Sequence, residues 1–485
     1  MEKNLMNLMA SEKRTENGAY AKNTTFDAVV DLFAVAGALR YRDNEDIISM
    51  WEKAYAESPE LAFRMIFYIR NVRGGLGERN TFRTLVKYVA NTYPSFVCAN
   101  LENVVFYGRF DDLFILFDTP VEDAMVEFVH NQLKDDIANM NQGKSISLLA
   151  KWMPSNNTSS QNTVMLANRF IKAFGMSASS YRKTLSALRK YSNVTEVKMS
   201  ANDWVNINYP MVSSNAMTKY YNAFYKRDEN RFKEYLDDVK SGKTEIKAGT
   251  LYPYDLVHKY MGYSSRKEDT VELQWKNLPD YFNGETFNAL VMADVSGSMS
   301  GRPMETSVGL AIYFAEHNKG AFANSYMTFT ATPEIRTIRP NMSLYEKVKD
   351  VMNHGVGYDT NLEKAFMKVL NTATNNNLSQ DDMPESIIVI SDMEINSFGE
   401  DTTFLDAMKT RFENAGYKLP KLVWWNVNAR NNTFHADASD DAQFISGSSV
   451  SAFESLISGK TLSAIELVEQ TLSAYDRVVI PSKVA

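Results

Sequence analysis

The chain has 485 residues, 44% hydrophobic and 23% charged, a globular composition with length for two or three cored domains. One cysteine, Cys98, excludes an internal disulfide framework, and there is neither a secretory apolar core at the start nor a run of about 18 apolar residues to span a membrane, so a cytoplasmic protein is expected. The net charge of −7 is uneven: residues 281–485 carry 16 Lys and Arg against 25 Asp and Glu (−9), residues 1–280 carry 36 against 34 (+2), and neither balance marks a nucleic-acid binder by itself.

Residues 1–24 are polar with little apolar periodicity and read as an N-terminal arm. From Thr25 the pattern is helical. Ser58 and Pro59 suit the N-cap and first position of a helix over Leu61–Val72, which stops at Gly74-Gly75-Leu76-Gly77. Further helical segments are expected over 80–90, 122–140, 161–174, 216–237 and 246–261, with a turn at Gly108–Asp112 and a polar loop at 151–160. Helix–turn–helix units of similar size thus recur from about 25 to 240, which predicts a solenoid-like helical-repeat domain over 25–261, although no strict period is present. Residues 262–284 are polar and read as a linker.

The texture changes in 285–485. Strand-like runs at 289–293, 325–329, 386–391 and 421–427 alternate with helical segments at 304–317, 343–353, 361–371 and 402–414, the pattern of parallel βαβ units. Leu462–Tyr475 is expected to be helical, and Val478–Ile480 to be a short strand or a docked tail.

Three places in this α/β region offer oxygen ligands after a strand or at a helix start. They are Asp294-Val-Ser296-Gly-Ser298, the Gly357-Tyr358-Asp359-Thr360 turn, and Ser391-Asp392-Met393-Glu394. Hard oxygen donors at the carboxyl end of a parallel strand suit Mg²⁺ or another divalent cation. The set resembles the von Willebrand factor A domain and its metal-ion-dependent adhesion site. The resemblance implies that Ser296, Ser298 and Thr360 hold Mg²⁺ through hydroxyls and that Asp294 and Asp392 hold its waters. One coordination position would be left for a partner's acidic group. The family's usual G-G-x-T is here Gly357-Tyr358-Asp359-Thr360, so Tyr358 stands in place of the second glycine, and Asp359 would add a ligand or alter access to that position. Hydroxyl ligands backed by carboxylates leave a cation electrophilic and suit gripping an acidic partner. No nucleophile elbow, H-E-x-x-H, C-x-x-C or phosphate-binding loop is present, and His317 and His354 are the nearest candidate bases, so no enzyme is expected.

Arg70-Asn-Val-Arg73-Gly74-Gly75-Leu-Gly77-Glu78-Arg79-Asn-Thr-Phe82-Arg83 resembles a stretch of the DUF2828 family, Ro-like proteins related to the TROVE module. Leu149–Ser155 and Tyr181–Arg189 are similar to that family as well. The resemblance implies a ring of HEAT-like helical repeats closed by the von Willebrand A domain, binding single-stranded ends of misfolded non-coding RNA and structured small RNA. Candidate RNA contacts are Arg70, Arg73, Arg79, Arg83 and Lys87 around the glycine turn, and Arg182, Lys183, Arg189 and Lys190 further on. Basic side chains interleaved with Trp204, Tyr209, Tyr220 and Tyr221 suit single-stranded RNA. The same arginines can instead pair with Glu78, Asp111 and Asp112 and pin helices together. Two functions follow: a ribonucleoprotein-type RNA-binding ring, or a non-enzymatic scaffold or assembly component (a virion protein included) whose metal captures a partner's carboxylate.

Overall fold

The computed structural model describes residues 5–192, 194–282, 284, 288–319, 322–328, 332–355, 361–450 and 462–481. They form two compact units, one of residues 1–81 and 246–476, the other of residues 82–245 and 477–485.

The first unit is built on two sheets among its described residues. A small hairpin pairs β1 (Glu12–Arg14) with β2 (Tyr20–Lys22). The main sheet comprises β3 (Ala289–Ala293), β4 (Ser325–Thr328), β5 (Glu334–Thr337), β6 (Ser386–Ser391), β7 (Lys421–Asn426) and β8 (Ala442–Ser446), in the order β5-β4-β3-β6-β7-β8. All neighbours are parallel except β4 and β5. The central strands Ala-Leu-Val-Met-Ala and Ser-Ile-Ile-Val-Ile-Ser are buried at every position, as strands covered on both faces must be. The edge strand Glu-Ile-Arg-Thr is short, polar and largely exposed, which blunts the edge and gives no strand signal in the sequence. Helix Arg302–His317 is buried from Thr306 to Ala315 and packs on β3, β4 and β6.

Helix Ala28–Val35 starts at Asp27, whose Oδ1 accepts from the Val29 and Val30 amides at 3.0 and 2.9 Å. It packs on β7 and β8, so part of the expected helical repeat belongs to the α/β core. Gly37 permits this approach, because a Cβ there would lie 2.6 Å from the Ser446 carbonyl oxygen. Helix Pro59–Arg70 begins as expected, with Ser58 Oγ accepting from the Leu61 amide.

Three expectations are corrected in this unit. Residues 5–22 are no loose arm. The hairpin lies on the main-sheet loops, with bridges from Gly18 to Asn396 and from Lys22 to Phe434, and helix Leu5–Ser11 leads into it with Ser11 buried. The segment hides because its hydrogen bonds, rather than an apolar face, hold it down. The 262–284 stretch contains helix Asp269–Lys276, which buries Val271, Leu273 and Trp275. The compact units also cut the chain at other points than the expected boundaries at 25, 262 and 285.

The second unit is helical. Its longer helices are Glu122–Asn141, Gln161–Ala173, Ala178–Tyr191, Ser214–Arg227 and Glu229–Lys240. The expected single helix over 216–237 is broken at Asp228, which lies between the last two. Val478–Ile480 is a docked tail rather than a strand: the Val479 amide and carbonyl both bond the Asn100 side chain, at 2.9 and 2.7 Å.

Candidate functional site

The carboxyl ends of β3, β6 and β7 bring together the first cluster. The strand order reverses between β3 and β6, where doubly wound sheets open a crevice for ligands. Asp294 follows β3 and is 1% exposed. Its Oδ1 accepts from the Ser296 amide at 2.9 Å and its Oδ2 from Ser391 Oγ at 2.8 Å. Burial first, then the nearby Asp392, pushes its pKa up to about 6. The Ser296 and Ser298 hydroxyl oxygens lie 3.1 Å apart. Adjacent corners of a Mg²⁺ octahedron with ligands at 2.0–2.1 Å are roughly 3 Å apart, so this pair fits such a cation, and a desolvated carboxylate backs it. Thr360, with Asp359, lies outside the described residues. Among those described, no three His, Cys, Asp or Glu side chains converge as metal ligands, so a cation here would rest on hydroxyls.

Asp392 departs from the expected arrangement. It is buried after β6, its Oδ1 accepts from the Glu394 amide at 3.2 Å, and its Oδ2 accepts from Arg430 Nη2 at 2.9 Å. Arg430 also meets Glu16 Oε2 through Nη1 at 2.8 Å. A protein cation thus already sits beside the carboxylate expected to hold the metal's waters. Burial works against the Arg430 charge, yet Asp392 and Glu16 hold its pKa above the ordinary value. The hairpin seats Glu16. Its amide donates to Glu394 Oε2 at 2.6 Å, Thr15 Oγ1 to the Ile395 carbonyl at 2.8 Å and Asn17 Nδ2 to the Glu394 carbonyl at 2.5 Å. Sequence reading missed Arg430 and Glu16. The one available signal was Arg430's place just beyond a strand end.

The glycine turn is a structural clip. The Leu76 and Glu78 amides donate to the Tyr68 and Ile69 carbonyls at 3.0 and 2.8 Å, folding the turn back on its own helix. A Cβ on Gly75 would meet the Tyr68 oxygen at 2.2 Å. Glu78 is buried and pairs with Arg40, with Arg302 at 3.8 Å, rather than with the arginines beside it in sequence. Arg70 is 2% exposed and so is withdrawn from any RNA surface, while Arg73 and Arg79 are exposed.

In the second unit Arg83 is consumed in ion pairs, Nη2 with Asp111 at 2.8 Å and Nε with the fully buried Asp112 at 2.7 Å. That is the pinning role weighed against RNA contact, whereas Lys87 is exposed. Arg189 is also withdrawn. Its Nε and Nη2 donate to the Ala150 and Met153 carbonyls and Nη1 to Ser155 Oγ, at 2.7, 2.7 and 2.8 Å, which fixes the 150–155 loop. Burial lowers its pKa.

That anchoring shapes a groove of about 740 Å³ between the 151–157 loop and helix Ala178–Tyr191. Lys151, Arg182, Lys183, Arg189 and Lys190 line it, against one carboxylate, Glu196. Arg182, Lys183 and Lys190 are exposed, and no carboxylate among the described residues pairs with them. The groove also offers Ser155, Asn156 and Asn157 as polar partners. Lys151, on the helix Leu149–Trp152, was not among the predicted contacts.

Residues 288–476 match a family described as "Domain of unknown function (DUF7788)". A mimivirus protein of Acanthamoeba polyphaga, "Uncharacterized protein L728", is 29% identical over 515 residues, covering 96% of this chain and 88% of the relative. The crystal structure of the RO (RSR) protein of Deinococcus radiodurans aligns over 93% of both chains at 13% identity. Its TM-score of 0.34 is too low to carry an argument about this chain. Residues 15–112 and 121–283, more than half of the chain, match "Domain of unknown function (DUF2828)", and the chain belongs to that family.

Proposed function

We propose that the chain is a non-enzymatic, Ro-like RNA-binding protein that holds single-stranded RNA in the groove along helix Ala178–Tyr191. The observation that carries this reading is the convergence of Lys151, Arg182, Lys183 and Lys190 around one carboxylate. Such a surface gains affinity by releasing counterions from a phosphate backbone. The rigid 150–155 loop lowers the cost of ordering one wall of the groove. In this reading the helical repeat is the HEAT-like ring of the family, and misfolded or structured non-coding RNA is the ligand class. The test is retention of a fluorescent single-stranded RNA by the purified full-length chain at several salt concentrations. Arg182→Glu/Lys183→Glu/Lys190→Glu should abolish retention while the far-ultraviolet circular dichroism stays unchanged; undiminished retention sinks the proposal.

A second reading rests on the sheet edge. The hydroxyl pair of Ser296 and Ser298 beside buried Asp294 favours a von Willebrand A-like adhesion site for Mg²⁺ that offers a position to a partner's carboxylate. Ser296, Ser298 and Thr360 would hold the cation, and Asp294 would back it. Titration of Mn²⁺ into wild type and Asp294→Ala tests this: binding lost in the variant supports the site, and equal binding removes it.

A further inference from the structure

Arg430 is a side chain with two anionic seats. One guanidinium nitrogen holds Asp392, which is buried and fixed by the Glu394 amide. The other holds Glu16, whose hairpin is fastened to the loop after β6 by backbone and side-chain hydrogen bonds. Asn431 Nδ2 also donates to Glu16 Oε1 at 3.2 Å and to Glu394 Oε1 at 3.3 Å. Glu16 is therefore a fixed outer seat and Asp392 a fixed inner one. The inner seat follows β6 two residues after Ile390, whose carbonyl accepts from the Asp294 amide at 2.9 Å, so it stands at the same sheet end as Asp294 and the serines that follow it.

We propose that Arg430 is an internal competitor for the cation site: it occupies Asp392 while the site is empty and retires to Glu16 alone when a divalent cation takes the hydroxyls of Ser296 and Ser298. This inference rests on the cation reading of the sheet edge and adds two residues to it. A guanidinium and a divalent cation within a few ångströms repel strongly in a desolvated crevice, so both cannot use Asp392 fully. Linkage makes the competition reciprocal: whatever loosens Arg430 from Asp392 must tighten the cation. Glu16 sets the balance by giving the displaced guanidinium a paired position, without which displacement leaves a half-buried charge unmatched.

The two residues therefore have opposite signs, which a purely structural role would not produce. In Arg430→Gln, Asp392 is released and Mn²⁺ should bind about tenfold more tightly. In Glu16→Gln the outer seat is weakened, Arg430 clings to Asp392, and Mn²⁺ should bind severalfold more weakly. Titration calorimetry or Mn²⁺ electron paramagnetic resonance on the full chain reads both, and the same titrations with Mg²⁺ should follow. If Arg430→Gln does not fold, Arg430→Lys, which keeps the charge but loses the forked grip, should give a smaller tightening. Shifts of the same sign in both variants, or no shift in either while wild type binds, would overturn the competition and leave the cation reading standing. No Mn²⁺ binding in wild type or in either arginine variant overturns both. Binding in Arg430→Gln alone supports the competition in its strongest form.

Discussion

Segment 70–87 carries five arginines and lysines, and segment 182–190 carries four. As sequences they looked equally suited to phosphate. In the first, Arg70 is buried and Arg83 is locked between Asp111 and Asp112. In the second, only Arg189 is committed, and it holds the loop that shapes the groove while Arg182, Lys183 and Lys190 stay exposed. The comparison teaches that charge density along a chain does not measure availability. A guanidinium beside acidic residues is drawn into the fold, whereas a helix face with one nearby carboxylate keeps its charge for a ligand.

The largest effect should come from breaking a committed arginine. Arg83→Ala removes the ion pair to fully buried Asp112 and the one to Asp111, while the Arg109 amide still donates to Asp112. A loss of about 3 kcal/mol in urea denaturation is expected. RNA affinity of the folded fraction should be unchanged. A fall in affinity at constant stability would place Arg83 on the RNA and dissolve the contrast.

Next comes the groove itself. Reversing Arg182, Lys183 and Lys190 together should weaken single-stranded RNA by on the order of 100-fold at moderate salt, about 2.7 kcal/mol, with no change in the denaturation midpoint. A large stability change instead would show these side chains to be structural after all.

A third contrast lies in pH. His435 is fully buried, its Nε2 donating to the Met393 carbonyl at 2.9 Å, and burial lowers its pKa to about 4. The unfolded chain therefore binds this proton first, near pH 6.5, and the His435 contribution to stability falls as pH drops from 6.5 towards 4. Between pH 7 and pH 5 that contribution should fall by about 2 kcal/mol; Asp31 and Asp294, whose burial-raised pKa values of about 6 act with the opposite sign, offset it in the total, so it is read as the difference between the urea melts of wild type and His435→Gln. His435 is not among the residues that line the groove, so RNA affinity should not follow the melt. A parallel loss of both would mean that the groove depends on the α/β unit.

Much of this arrangement was legible in the sequence, for physical reasons that differ by element. The core strands 289–293 and 386–391 announced themselves as unbroken apolar runs because both faces are covered. Ser58-Pro59 marked a helix start because capping chemistry is local. Asp294, Ser296 and Ser298 were found together because one turn carries all three. The hairpin, Glu16 and Arg430 were not found, since their roles are created by contacts between residues about 415 positions apart, and an arginine's place after a strand end does not show which carboxylates it will meet. The glycine turn is expected to sit among RNA contacts, whereas at Gly75 the missing Cβ makes room for the chain's own Tyr68 carbonyl. Sequence shows that a position needs glycine, but not whose backbone comes close.

The smallest effect is also the most direct comparison of the two segments. Arg79 and Lys190 are both exposed helix residues, one at the start of helix Arg79–Thr92 and one near the end of helix Ala178–Tyr191. Each loses one positive charge as glutamine, and neither substitution should shift the melt appreciably. If availability within the groove is what matters, Lys190→Gln lowers the slope of log affinity against log salt by about 0.7, the share of one phosphate contact on a single strand. Arg79→Gln leaves that slope where it was. A single-charge difference of this size requires affinities at four or more salt concentrations, measured by fluorescence anisotropy on one RNA. Equal slopes for the two variants would mean that RNA responds to the general field of the helical region, and the groove would lose its claim to be the site. An effect at Arg79 alone would return the glycine turn to the role its sequence first suggested, with Gly74 to Gly77 serving the fold and Arg79 serving the ligand.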